Sequence, residues 1–151
     1  MRAVIQRVDK ASVTVKSEVT GSIGAGLLLF LGVEADDTLE DLEWLAAKIP
    51  ALRVFEDEEG RMNRSLTDTD GDIIAVSQFT LFGNVRKGTR PSFNKSAPPE
   101  KARDYYEKFV ESLSRHLGKP VPTGVFGAHM QIEAHNNAPV TLFIDTRNKK
   151  L

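Results

Sequence analysis

Ser77, Gln78, Phe79 and Thr80 carry the residue chemistry that stands out most in this sequence. Two hydroxyls and an amide fall within four positions of the run SQFTLF (77–82), at the end of the strand-like segment DIIAVS. A loop rich in Gly, Pro, Ser and Asn follows directly, and polar residues where a strand meets a long loop form a common site geometry. No general base stands beside either hydroxyl. The sequence offers no nucleophile elbow, no assembled Ser-His-Asp order and no cysteine at all. Read from composition alone, SQFTLF is a strand end with Val76 and Leu81 contributing to the core.

A second set is His129, Gln131, Glu133 and His135, at every other position and hence on one face of a strand. Two imidazoles and a carboxylate are zinc-type ligands. A flat strand spreads them over about 20 Å, at roughly 3.3 Å per residue, too far for one ion. The expectation is a solvent face and no metal. His116, late in a helical stripe, suits the negative end of the helix dipole better than catalysis.

Charge is segregated. Residues 34–43 (EADDTLEDLE) hold six acids and no base, whereas 84–95 (NVRKGTRPSFNK) hold Arg86, Lys87, Arg90 and Lys95 and no acid. The net charge of −1 does not mark a nucleic-acid binder. A local basic loop can still meet phosphate, because the field is screened over only about 10 Å. No apolar run reaches the roughly 18 residues of a membrane span. The N-terminus MRAVIQRV lacks the apolar core of a secretion signal, and the missing cysteines fit a reducing compartment. Cytoplasm is the expected location.

These residues need a scaffold to position them. The 151 residues suit a single domain over 1–151 with a sizeable core, and no repeat or linker interrupts them. Val4, Gln6, Val8 and Ser12 to Val15 alternate as a long strand or hairpin, Thr20-Gly21-Ser22 reads as a turn, and Gly26 to Val33 as a buried strand. The glycines of GSIGAG lead into β-type residues, so no helix N-terminus is present to hold phosphate. Asp37-Thr38 caps a helix whose apolar face is Leu39, Leu42, Ala46 and Ile49, limited by Pro50. Arg53 to Phe55 fit a short strand, and Asp70-Gly71 signals a hairpin turn. Pro99 opens a second helix with the stripe Ala102, Tyr106, Phe109, Val110, Leu113 and Leu117, closed by Gly118. Three short strands are expected around 121–126, 129–135 and 140–145. Two helices among irregularly ordered strands predict an α+β fold, with mixed and antiparallel sheets forming a barrel-like core under two main helices.

The segments RAVIQRV, ASVTV, VTGSIGAGLLLFLGVE, SQFTLF, RPSF, FGAHMQI and NNAPVT, in this order from Met1 to about Asp145, resemble D-aminoacyl-tRNA deacylase. SQFTL paired with a C-terminal Pro-Val-Thr is specific, although either alone would be weak. The resemblance implies a homodimer with sites shared across its interface, acting on the 3′ end of aminoacyl-tRNA without a cofactor or metal. The expected reaction is hydrolysis of the ester of a D-amino acid, or of mischarged glycine, on tRNA. It places catalysis on Ser77, Gln78, Phe79 and Thr80. It also places a Gly-cis-Pro chiral gate on Ala138 and Pro139, its bracing arginine on Arg7, and the adenine pocket on Phe126 and Met130.

The family's chemistry implies the RNA's own 2′-hydroxyl in place of a protein nucleophile, with Thr80 as the other candidate. Arg86, Lys87, Arg90 and Lys95 are read from charge as phosphate contacts, which position RNA without reading its sequence. Ala138 departs from the family's Gly, and its Cβ is expected to narrow the gate. The alternative is a catalytically weak tRNA-binding module with altered selectivity.

Overall fold

The computed structural model describes residues 1–149, so the last two residues of the RNKKL tail lie outside the described residues. The chain runs β1 (Arg2–Val15), β2 (Glu18–Ile23), β3 (Gly26–Gly32), α1 (Leu39–Ala51), β4 (Phe55–Glu56), β5 (Met62–Arg64), α2 (Leu66–Thr69), β6 (Asp72–Ser77), a 3-10 turn (Phe79–Phe82), α3 (Pro99–Leu117) and β7 (Gln131–Asp145). This is the expected α+β arrangement. Its five-stranded sheet curls into a half-barrel, and α1 and α3 are its main helices.

β1 organises the sheet. Its first half pairs antiparallel with β3, from Arg2 opposite Gly32 to Val8 opposite Gly26. Its second half pairs with β2, from Ala11 opposite Ile23 to Val15 opposite Glu18. Its other edge pairs with β7 over nearly its whole length. β6 adds parallel to β3, bringing Ser77 beside Leu31 at the sheet's end. The all-apolar register of β3 follows, since both its faces are covered. Ala3, Ile5, Leu27, Leu29 and Leu31 meet the helices on one side, whereas Val8, Ala11, Val13, Leu28 and Ile74 form a second cluster.

Several turn and strand expectations change. The first hairpin turns at Lys16 and Ser17, both with positive φ, and Thr20-Gly21-Ser22 lies inside β2. Asp70 is the left-handed cap of the one-turn α2, stopping a helix rather than closing a hairpin. Residues 121–126 form no strand. They touch β6 by one parallel bridge between Thr123 and Ala75, and the two later strands merge into β7.

The helices follow local rules. Thr38 caps α1 in a reciprocal capping box with Asp41. The buried face of α1 is Leu42, Leu45, Ala46 and Ile49, and the expected Leu39 is exposed because it precedes the first buried turn. α3 begins at Pro99 and ends on Gly118 at φ 78°. Tyr106 on its buried face donates its hydroxyl to Ala75 O at 2.9 Å, and burial pushes its phenol pKa up to about 12.

Between the helices, Ser112 Oγ donates to Glu43 Oε2 at 2.9 Å, and this bond, with Arg115 nearby, holds the Glu43 carboxyl below its ordinary value of 4.5. A depressed carboxyl stabilises the fold fully above 4.5 and loses that contribution as pH falls through its folded value. Ser112→Ala is therefore expected to lower unfolding free energy at pH 6 by on the order of 1 kcal/mol, since solvent screens the half-exposed carboxylate. That gap from wild type should narrow by pH 3, measured by urea unfolding. A gap that widens on acidification would contradict the assignment.

Candidate active site

The end of β6 sets the position of the SQFT segment. Gln78 continues the strand by donating its N–H to Leu31 O at 2.7 Å, then leaves extended geometry at φ −144°, ψ 80°. Phe79–Phe82 wind into a single 3-10 turn, closed by Gly83 N–H donating to Thr80 O at 2.9 Å. SQFTLF is thus a strand end for its first residues and a turn thereafter, and Phe82, more than Leu81, enters the core. The N–H groups of Phe79 and Thr80 open that turn, where a helical segment has no internal acceptors for them.

The loop behind the turn holds it. Ser96 Oγ donates to Phe79 O at 3.0 Å, and the Phe93 ring meets the Phe79 ring edge-on at 5.1 Å. Asn84 and Ser92 exchange backbone hydrogen bonds at 2.8 and 3.0 Å, closing the basic tip. Arg86, Lys87, Arg90 and Lys95 are exposed, and none forms an ion pair among the described residues. The acids of 34–43 behave otherwise. Asp37 is buried against the Met1 ammonium at 2.5 Å, and Lys101 and Arg147 gather around the same turn.

A cavity of about 530 Å³ opens in front of the turn. It is lined by Ser77, Gln78 and Phe79 on one side and by Phe126, His129 and Met130 on the other. Residues 121–130 reach it by fastening to β6: Ala75 N–H donates to Pro122 O at 3.0 Å and Gly124 N–H to Ala75 O at 3.3 Å. Gly124 lies against Met130, where a Cβ would collide with its Sδ. Phe126 is wedged between the Arg103 guanidinium at 4.8 Å and the Tyr106 ring at 6.0 Å. His129 precedes β7, so it lines the cavity instead of sharing a strand face with Gln131, Glu133 and His135. Position alone gave no signal for this. Among the described residues no group of three or more ligating side chains gathers at one point.

The hydroxyls lack a base. Gln78 Nε2 donates to Thr80 Oγ1, and among the described residues no carboxylate or imidazole is hydrogen-bonded to Ser77 or Thr80. An amide that donates to a hydroxyl oxygen does not remove its proton, so the base that a nucleophilic threonine requires is not among the hydrogen-bond partners described for Thr80.

Ala138 and Pro139 stand apart from this cavity. They sit on an exposed bulge of β7, where residues 137–140 fall between the pairs Gln6–Thr141 and Val8–Asn136, opposite Arg7 alone. The Ala138-Pro139 bond is cis. Buried Arg7 fills the space under the bulge: Nε donates to Asn137 O at 3.2 Å, Nη2 to Asn137 Oδ1 at 3.1 Å and Nη1 to Val54 O at 2.8 Å. The structure therefore brings Ser77, Gln78, Phe79, Phe126 and Met130 together around one space, and Arg7, Ala138 and Pro139 around another.

The family model described as D-Tyr-tRNA(Tyr) deacylase matches residues 4–145. A protein of Opitutus terrae named D-aminoacyl-tRNA deacylase is 56% identical, over 99% of this chain and 100% of its own length. One of the same name from Thermotoga petrophila is 53% identical over 97% of each chain. A solved structure described as c-Myc DNA Unwinding Element Binding Protein is 42% identical and superimposes with a TM-score of 0.89, covering 96% of this chain and 98% of its own. With the cavity assembled from the SQFT turn and the Phe126–Met130 segment, and with near end-to-end identity of this order, the chain belongs to the D-Tyr-tRNA(Tyr) deacylase family.

Proposed function

We propose that the protein is an editing esterase that hydrolyses the ester joining a D-amino acid, or mischarged glycine, to the terminal adenosine of tRNA. The observation that carries this reading is the shared cavity, in which the strand-end polar groups Ser77 and Gln78 face Phe126 and Met130. An aromatic ring and a thioether suit an adenine face, and the polar wall stands where the attached ester would lie.

Water adds to the ester carbonyl, the bond to the ribose oxygen breaks, and the proton passes to that oxygen. An aminoacyl ester is already activated, so orientation and stabilisation of the developing oxyanion supply much of the acceleration. The N–H groups of Phe79 and Thr80, without acceptors inside their turn, are the donors for that oxygen. The RNA's 2′-hydroxyl assists the attacking water, and Gln78 orders it. The missing base at Thr80 supports this over a threonine nucleophile. Arg86, Lys87, Arg90 and Lys95 meet the RNA backbone as exposed cations.

The protein acts as a homodimer in the cytoplasm, and the partner's Ala138-Pro139 bulge completes the site. Backbone carbonyls there hold the ammonium of a D-amino acid, while an L side chain clashes. The bulge's exposure, its support by Arg7 and its separation from the cavity within one chain favour this arrangement. The second reading is a tRNA-binding module of low activity, favoured by Ala138 in place of the family's Gly.

Incubation of the wild type with D-Tyr-tRNA and L-Tyr-tRNA is expected to release D-tyrosine at least a hundredfold faster. Absence of D-tyrosine release at micromolar protein would establish the binding module instead. Thr80→Val is expected to keep the rate within about tenfold, because it removes a hydrogen bond and not a nucleophile. A loss beyond a thousandfold would make Thr80 the nucleophile. Removing one methyl in Ala138→Gly should raise the rate on bulky D-aminoacyl-tRNA or change that on Gly-tRNA by about ten- to a hundredfold. Identical rates on both substrates would show that the Cβ does not wall the pocket.

A further inference from the structure

Three residues form one row across the end of the sheet. Asp145 of β7 pairs with Arg2 of β1, and Arg2 pairs with Gly32 of β3. The 3-10 turn lies on this row. At one end Gly32 provides the space: a Cβ there would stand 3.0 Å from Phe82 Cε2, 3.1 Å from Gln78 O and 3.2 Å from Leu81 Cβ. These spacings are tighter than ordinary carbon contacts, and one belongs to backbone, so a side chain would push the turn away from β3.

In the middle of the row Arg2 fastens the turn from beneath. Its Nη1 donates to Leu81 O at 2.9 Å and its guanidinium lies 4.7 Å from the centre of the Phe82 ring. The guanidinium is itself held by Asp145, to which Nε donates at 2.9 Å, and flanked by Phe143 at 5.8 Å. One planar fork thus serves a carbonyl of the turn and a carboxylate of the far strand together, which a lysine ammonium does not reproduce.

We propose that Gly32 and Arg2 are positioning residues for the reaction, setting the height and tilt of the Gln78–Thr80 segment over the cavity. Neither lines the cavity, so neither touches substrate there. Both act through the turn, whose N–H groups must point at a developing oxyanion within a few tenths of an ångström to be effective. The inference rests on the reading of Gln78, Phe79 and Thr80 as the reacting segment.

The test is single-turnover deacylation of D-Tyr-tRNA by wild type, G32A, R2M and R2K, with melting temperature measured on each. A displacement of the turn should lower the saturating rate about tenfold in G32A and R2M, with the half-saturating enzyme concentration within about twofold. R2K should fall between R2M and wild type. K119M serves as the control for stability alone, because it breaks the Lys119 bridges to Asp70 and Asp72 at the opposite end of β6. It should melt lower without losing rate. Rates within twofold of wild type for G32A and R2M, at a temperature where both are folded, would overturn the inference. If R2M does not fold, G32A and R2K decide by the same criterion. An inactive wild type would instead overturn the deacylase reading and this inference with it.

Discussion

The fold depends on one strand being used along both edges. β1 is fourteen residues long, and its backbone groups are committed to β7 on one side and to β3 and then β2 on the other. A strand so bound cannot slide, because a one-residue slip would turn Ala3, Ile5 and Arg7 away from the helices. The two features of functional interest are consequences of that fixed register. Arg2 fixes the end of the sheet beneath the SQFT turn, and Arg7 fixes the bulge of β7, five residues away on the same strand. The turn and the bulge therefore share a single rigid reference.

The polar wall of the cavity combines donors with one imidazole. It consists of an amide, hydroxyls, the N–H groups that begin a turn and the ring of His129, and among the described residues no carboxylate lines it. In the proposed reading, such a wall accelerates the cleavage of an activated ester mainly by alignment and charge stabilisation. On that same reading, selection among substrates falls elsewhere, on a bulge that one buried guanidinium supports by two hydrogen bonds to Asn137 while a third anchors it to Val54 O.

Much of this was legible in the sequence where local rules decide structure. Thr38 as a cap, Pro99 and Gly118 as the ends of α3, and the apolar run of β3 each follow from one residue type meeting one backbone requirement. Tertiary pairing was less legible. A strand is expected over residues 121–126, yet only Thr123 bridges to β6, through the bonds of Ala75 to Pro122 and Gly124. The gap expected between two late strands is a bulge in one, because Arg7 supplies hydrogen bonds that the ladder omits. Within the site, the resemblance points to Ser77–Thr80 and to Phe126 with Met130; of these, Ser77, Gln78, Phe79, Phe126 and Met130 line one cavity, which joins segments about fifty residues apart. Composition alone could not join them. His129, Arg2 and Gly32 matter only through close approach in space, which no periodicity announces.

The bulge of β7 also bears on the solubility of the chain. Among the described residues β7 pairs with β1 alone, so its outer edge presents unpaired backbone groups over a fifteen-residue strand. An unbroken edge of that length, carrying exposed Leu142 and Phe143, would invite any extended segment to add to it. The four residues bulged opposite Arg7 divide the edge, and Pro139 in their midst has no N–H to offer. Strand addition can thus run only a few residues before the register breaks, so this edge favours a limited, closed contact over open-ended aggregation.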